Sequence, residues 1–130
     1  KEAIRYTKEI KDNIKCRQGI PIFDIIILGM GDDGHTASIF PGQLDLINET
    51  NICAVSHHPL SGMQRITLTG SIIKNAKWIF FMITGGNKAQ RISEIMNNEE
   101  NAKLLPAYYI EPVNGSLIWF IDEAAAINIS

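Results

Sequence analysis

The sequence predicts an α/β fold in which a largely parallel sheet is flanked by helices. Apolar runs rich in β-branched and aromatic residues recur at Phe23–Leu28, Lys77–Ile83 and Ser116–Ile121, and turn residues border each of them. Between these runs, apolar residues are spaced as on one face of a helix. Strands that alternate with helical patterns are typical of parallel sheets joined by crossover helices.

The first half of the chain supplies one helix and the first strand. Residues 3–14 carry apolar side chains among charged ones, which predicts an amphipathic helix packed on a sheet (Ala3, Ile4, Ile10 and Ile14). Phe23 to Leu28 is the first predicted strand, and its apolar run from Ile25 to Leu28 predicts burial on both faces. After it, residues 35–40 predict one short helical turn, which Pro41-Gly42 stops.

Later segments add strands at 52–55, 64–69, 77–83 and 116–121, and a short helix at 71–75. In the strand at 64–69, Ile66 and Leu68 share one side. A helix is expected from about 87 to 97, with an inner face of Ala89, Ile92, Ile95 and Met96. Trp78 and Trp119 lie inside strands, which indicates core packing, and Asp122 is placed to cap a terminal turn through Ala126.

Length, charge and cysteine content limit which partners and which cellular compartment we expect for this chain. A length of 130 residues indicates one domain, residues 1–130, and a net charge of −2 gives no basic field for nucleic acid. No apolar run approaches the ~18 residues of a membrane helix. The two cysteines, Cys16 and Cys53, suit neither a disulfide framework nor a metal site, which favours the cytoplasm. The chain opens without Met, and we expect it to be part of a longer domain.

Titratable residues are concentrated directly after the first strand, in Gly29-Met-Gly-Asp-Asp-Gly-His35. Ligands of open α/β sheets bind beyond the carboxyl ends of strands. An imidazole is the usual general base at neutral pH, and a neighbouring carboxylate can orient it. The spacing also matches a dinucleotide-binding loop, but the two aspartates would repel a pyrophosphate. The remaining alternative is a glycine turn in which His35 is only a polar surface residue.

A second turn, Thr84-Gly-Gly-Asn-Lys88, leads from a strand into a helix. Backbone N–H groups at a helix start and a lysine side chain suit a phosphate, although a solvated lysine fits equally well. Arg65 is a weaker second candidate. The neighbouring His57 and His58 have no third ligand at a recognisable spacing, so an ordinary loop is favoured over a metal site.

The segment from Leu28 to Gly42 closely resembles the 6-phosphogluconolactonases. The similarity continues in order through 65–69, 84–89, Pro106-Ala107 and 119–125. The fold it implies is Rossmann-like, of the NagB/RpiA/CoA-transferase-like type that glucosamine-6-phosphate deaminases share. Members of the family are roughly twice as long, so the chain resembles the C-terminal part of one, with an incomplete sheet and phosphate site.

The resemblance implies hydrolysis of 6-phospho-D-glucono-1,5-lactone in the pentose phosphate pathway, without a cofactor or metal. His35 is the expected general base and Asp33 its orienting partner. The glycine turn and two cations are the expected substrate contacts (Gly29, Gly31, Gly34, Arg65 and Lys88). Two alternatives stay open, a glucosamine-6-phosphate deaminase and a non-catalytic sugar-phosphate-binding module. Deaminases carry an acidic residue five positions after the histidine, where this chain has Phe40. A monomer or small homo-oligomer is expected.

Overall fold

The computed structural model describes residues 1–129, which form three α-helices and seven strands in sequence order. The helices are α1 (Glu2–Asn13), α2 (Gly70–Ile73) and α3 (Ala89–Met96). The strands are β1 (Cys16–Arg17), β2 (Ile20–Pro21), β3 (Ile25–Leu28), β4 (Cys53–His57), β5 (Gln64–Leu68), β6 (Trp78–Ile83) and β7 (Ser116–Ile121). Short 3₁₀ segments occupy Leu44–Ile47, Gly86–Lys88, Glu100–Leu104 and Pro106–Tyr109.

Strands β3, β6 and β7 form the central sheet, in that spatial order and all parallel. Ile25 lies opposite Trp78, and Trp78 lies opposite Ser116. The predicted α/β fold with a parallel sheet is therefore confirmed. Because the three strands are parallel, their carboxyl ends share one edge of the sheet, and the turns at Gly29 and Thr84 both leave from it.

One face of this sheet carries the main core. Ile26, Leu28, Ile79, Phe81 and Ile83 are buried there together with residues of α2, α3 and the segment 44–47. Both crossovers cover the same face because right-handed connections between strands added in one direction must do so. Trp119 is half-buried and its ring stacks on Phe81 at a centroid distance of 4.1 Å.

The opposite face of the sheet is exposed, and the prediction that the run from Ile25 to Leu28 is buried on both faces is wrong. Side chains alternate along a strand, so β3 is buried only at Ile26 and Leu28, and Ile27 is 62% exposed. Trp78 also lies on this open face, against the expectation of core packing. The open face is strongly apolar (Ile25, Ile27, Trp78, Met82, Ile118 and Phe120).

Two antiparallel hairpins stand apart from the central sheet. Strands β4 and β5 pair with Cys53 opposite Leu68, and Ile10 of α1 packs beside them. In β5 the fully buried side chain is Thr67, whereas Ile66 and Leu68 are half-buried. The small β1–β2 hairpin was not predicted, although Gln18 and Gly19 have positive φ values of 53° and 80°, as a two-residue turn requires.

The helical predictions succeed in outline and fail in two details. The expected helix at 3–14 is α1, which has 12 residues, and no helix in the described part of the chain has the length and apolarity to cross a bilayer. Residues 35–40 are not helical. Thr36 and Ile39 exchange backbone hydrogen bonds across a tight turn in which Ala37 has φ +50°. In α3, Met96 is exposed, whereas Glu94 is buried and accepts hydrogen bonds from the Gln90, Arg91 and Asn101 side chains.

Candidate active site

The segment after β3 folds back on itself through its own backbone. The N–H of Gly31 donates to the carbonyl of His35 and the N–H of Gly34 donates to the carbonyl of Gly31, both at 2.9 Å. The buried Thr36 hydroxyl donates to the Gly29 carbonyl at 2.8 Å. This closed turn fixes the positions of Asp33 and His35 at the carboxyl edge of the sheet.

Asp33 and His35 form a hydrogen-bonded pair within this turn. The same carboxylate oxygen of Asp33 accepts from the backbone N–H of His35 at 3.0 Å and lies 2.6 Å from its ring Nδ1. An ionised carboxylate can only accept, so Nδ1 must carry a proton. In the neutral ring, Nε2 therefore keeps its lone pair, and the arrangement presents a base that is already oriented. The side chain of Asp32 makes no hydrogen bond within residues 1–129.

The same contacts determine the charge of Asp33. Partial burial raises the pKa of its carboxyl group, but the hydrogen bonds from the backbone and ring of His35 outweigh that effect and leave the pKa below its ordinary value. The side chain of Asp33 is 45% exposed and that of His35 is 33% exposed, so both groups are reachable from solvent.

The lowered pKa of Asp33 predicts a pH-dependent contribution to stability. A carboxyl whose pKa is lowered by folding stabilises the fold above its unfolded pKa, and the stabilisation is lost as pH falls through the folded pKa. Asp33→Asn is therefore expected to lower the free energy of unfolding at about pH 6 and to differ less from the parent chain at about pH 3. Urea unfolding of both proteins at the two pH values measures this difference. A gap that stays constant between them would contradict it.

Two glycines of the turn are required by close packing. A Cβ atom on Gly31 would lie 2.2 Å from Nδ1 of His35 and 2.8 Å from the Asp33 carboxylate. Gly34 has φ +84°, and a Cβ there would lie 2.7 Å from the Leu105 side chain. Gly29 has open space around its Cα, so its geometry demands no glycine.

Two cations from the segment after β6 reach the turn, Lys88 at the end of the 3₁₀ segment and Arg91 on α3. Lys88 Nζ donates to the Met30 carbonyl, and Arg91 Nε donates to the Asp32 carbonyl at 3.2 Å. Lys88 thus contacts the segment that leads into the Asp33–His35 turn, although it is 53 residues after His35 in the sequence. An ammonium has three donors, so the contact with Met30 leaves donors for an anion.

The other predicted binding groups are placed differently. Arg65 lies on β5 opposite Ser56 and is exposed, and its side chain makes no hydrogen bond or ion pair within the described chain. The N–H of Gly85 donates to the Asp122 carboxylate, at 3.1 Å and 3.2 Å, and is not free for a phosphate. The predicted cap is present as well, since Asp122 accepts from the N–H of Ala125 at 2.9 Å.

Several groups around the site were not found by sequence reasoning. Phe40 is 3% exposed, and its ring centroid lies 4.8 Å from that of His35 and 5.3 Å from that of His58. His58 Nδ1 accepts from the N–H groups of Leu60 and Ser61, both at 3.3 Å. The sequence carries no signal for these ring contacts. Arg91 was also missed, although it lies three residues after Lys88 and so about one helical turn along the predicted helix.

A parallel sheet with a hydrogen-bonded Asp–His pair at the carboxyl end of its first strand is typical of Rossmann-like α/β proteins, whose ligands bind at that edge. Comparison with known proteins identifies the family. The family profile of glucosamine-6-phosphate isomerases/6-phosphogluconolactonase matches residues 1–119, and the chain belongs to this family.

Individual relatives agree with this placement. A 6-phosphogluconolactonase of Treponema pallidum is 37% identical over 87% of the chain and 47% of the relative, and one of Rattus norvegicus is 43% identical over 82% and 41%. A crystal structure named devB protein superposes with TM-score 0.91 at 37% identity, covering 99% of this chain and 54% of that one. The chain therefore spans about half the length of the relatives it matches. A monomeric glucosamine-6-phosphate deaminase shares the fold, with TM-score 0.73 at 20% identity.

Proposed function

We propose that this chain carries the acid–base centre for hydrolysis of 6-phospho-D-glucono-1,5-lactone to 6-phospho-D-gluconate, the lactonase step of the pentose phosphate pathway. The observation that supports it most is the oriented Asp33–His35 pair, which lies at the carboxyl edge of the sheet in a turn whose Met30 carbonyl accepts from the Lys88 ammonium. Relatives that carry the name 6-phosphogluconolactonase align over more than four fifths of the chain. A cytoplasmic location and the oligomeric state stay predictions from the sequence.

In this proposal His35 is the catalytic residue. Its Nε2 takes a proton from water while the water oxygen bonds to the lactone carbonyl carbon. The ring C–O bond then breaks, and the imidazolium returns the proton to the departing ring oxygen, which becomes a hydroxyl. Asp33 keeps the ring in the required tautomer and stabilises the imidazolium. A lactone is an activated ester, so this sequence needs no serine or cysteine nucleophile.

The glycine turn offers fewer backbone donors to a substrate than the sequence predicts. The N–H groups of Gly31, Gly34 and His35 are already used inside the turn. These three donors hold the pair in place rather than bind substrate. We therefore expect the side chains to make the substrate contacts, with Lys88 as the main ligand of the substrate phosphate and the exposed Arg65 as a second one.

The position five residues after the histidine favours a lactonase over a deaminase. Phe40 is buried there and packs its ring between His35 and His58. A benzyl side chain has no group that titrates, so it cannot supply the acidic function that the deaminase reaction requires at this point. Release of ammonia from glucosamine 6-phosphate would contradict the lactonase proposal.

The deciding experiment is an assay of lactone hydrolysis with the spontaneous rate subtracted. It is run on the 130-residue chain and on the chain fused to the part of the Treponema pallidum relative that lies outside the aligned region. The proposal is supported if either protein hydrolyses the lactone and the His35→Gln variant of that protein does not. A folded fusion that binds 6-phosphogluconate without turnover would support a binding module instead, and the absence of both would refute a role in this reaction.

Replacing Lys88 by alanine is expected to raise KM by about tenfold to a hundredfold and to leave kcat nearly unchanged. The physical reason is that the phosphate lies away from the reacting carbonyl, so its charge is held equally in substrate and transition state. Steady-state kinetics of the active protein give both constants. Lys77→Ala is the matched control, because Lys77 pairs with Asp24 at 2.8 Å at the opposite edge of the sheet. An unchanged KM in Lys88→Ala would remove Lys88 from the site.

A further inference from the structure

Glu94 is a buried carboxylate that the proposed reaction does not use. It lies on α3, is 3% exposed, and accepts from three neighbouring side chains. Arg91 Nη1 donates to both carboxylate oxygens, at 3.0 Å and 2.9 Å, and Gln90 donates at 3.0 Å. Burial raises the pKa of Glu94, but the hydrogen bonds and the charge of Arg91 outweigh it, so the pKa is lowered and the carboxylate stays ionised.

A buried ion pair contributes little net stability, because both charges lose their hydration. It does fix geometry. The guanidinium of Arg91 is one rigid plane, so the contact of Nη1 with Glu94 also sets the direction of Nε. That Nε donates to the Asp32 carbonyl at 3.2 Å.

The Asp32 carbonyl has a direct link to the acid–base pair. It shares a planar peptide unit with the N–H of Asp33. A carbonyl held in place therefore also orients the backbone of Asp33, to which the carboxylate side chain is attached. From there the carboxylate reaches Nδ1 of His35 at 2.6 Å. Hydrogen bonds and the Asp32–Asp33 peptide unit thus connect Glu94, through Arg91, to the His35 ring.

We propose that Glu94 is a positioning residue, which locks Arg91 onto the Asp32 carbonyl and so keeps the Asp33 carboxylate on the His35 ring. The catalytic consequence rests on the proposed lactonase function. The geometric consequence does not, because it concerns a hydrogen bond that exists without substrate.

The test follows the Nδ1–H resonance of His35 by NMR, assigned by its absence in His35→Gln. Arg91→Met and Glu94→Gln are expected to shift this resonance or to lose it to faster exchange with water. In the active protein the same variants are expected to lower kcat by about tenfold to a hundredfold with little change in KM. The double variant should lose no more than the worse single one, because both act through one contact.

Two controls separate positioning from general stability. Lys103→Met removes an ion pair of the same spacing, Lys103–Glu100 at 2.9 Å, at an exposed site. Asn101→Ala removes a donor to Glu94, at 3.5 Å, without changing Arg91. Neither change is expected to move the His35 resonance, even where it lowers the urea midpoint.

Arg91→Lys covers the case in which Glu94→Gln fails to fold. The lysine still supplies a positive charge to the buried carboxylate. It lacks the planar guanidinium, so it cannot donate to Glu94 and to the Asp32 carbonyl at the same time with the geometry of Arg91. We expect a folded protein with a displaced His35 resonance. A native His35 resonance in Arg91→Lys and Arg91→Met would overturn the proposal and leave Glu94–Arg91 a purely structural pair. Because this readout needs no substrate, it stands even if no lactone is hydrolysed.

Discussion

Replacing His35 by glutamine is expected to lower kcat for lactone hydrolysis by about 10²–10⁴-fold, the usual contribution of a positioned general base. Glutamine has nearly the reach of histidine and can still hydrogen-bond Asp33, but it cannot take a proton at neutral pH. The loss should therefore appear in kcat, while binding of 6-phosphogluconate changes little. The assay described above measures the first quantity, and calorimetric titration with the product measures the second.

His57→Gln is the matched control for this prediction. His57 lies at the exposed end of β4, where its backbone, not its ring, contacts Gln43. We expect its kcat to equal that of the parent chain. A His35→Gln protein with a parent-like rate would rule out His35 as the base, and an equal loss in both variants would indicate a general effect of removing imidazole.

The second large effect is expected at Gly31. In Gly31→Ala the new methyl group would lie 2.2 Å from His35 Nδ1 and 2.8 Å from the Asp33 carboxylate, far inside van der Waals contact. The ring or the turn must move, which separates the pair. We expect kcat to fall by at least about a hundredfold, since small misplacements of a catalytic group have effects of this size. Overpacking should also lower the free energy of unfolding by about 1–3 kcal/mol.

The control for Gly31→Ala is Gly19→Ala in the β1–β2 turn. Gly19 has φ +80° with open space around it, so the added methyl group costs about 1–2 kcal/mol of backbone strain and touches nothing at the site. Its kcat should be unchanged. The double variant Gly31→Ala/His35→Gln tests whether Gly31 acts through the His35 ring, because Gly31→Ala should reduce kcat no further once that ring is absent. Additive losses would mean that Gly31 acts on catalysis by another route.

Much of the fold could be predicted because its signals are local. The runs at 23–28, 77–83 and 116–121 contain the strands Ile25–Leu28, Trp78–Ile83 and Ser116–Ile121, since β-branched and aromatic residues suit a pleated, packed surface. The same reasoning overstated burial, because an apolar run alone cannot show whether a second layer covers a strand. Residues 35–40 failed as a helix because the Thr36–Ile39 backbone pairing satisfies groups that a helical turn would otherwise satisfy.

In the candidate site, too, contacts between residues that lie close together in the sequence could be predicted, and contacts between distant residues could not. Asp33, Gly31 and His35 lie within five residues, so their proximity follows from chain connectivity, and the sequence alone indicated the pair. Arg65, by contrast, was chosen for its charge, and the structure leaves it exposed and without a described partner. Charge by itself does not say where a strand points its side chains.

The sequence by itself therefore determined the parallel α/β strands and the close spacing of Asp33 and His35 after the first of them. Only the tertiary structure decided which cations meet that turn. Lys88 and Arg91 reach the Met30 and Asp32 carbonyls because β6 pairs beside β3 and carries the start of α3 to the same edge. Contacts between residues about 58 positions apart depend on strand order and register. Those are fixed by packing of the whole chain, whereas short-range spacing is fixed by the covalent backbone.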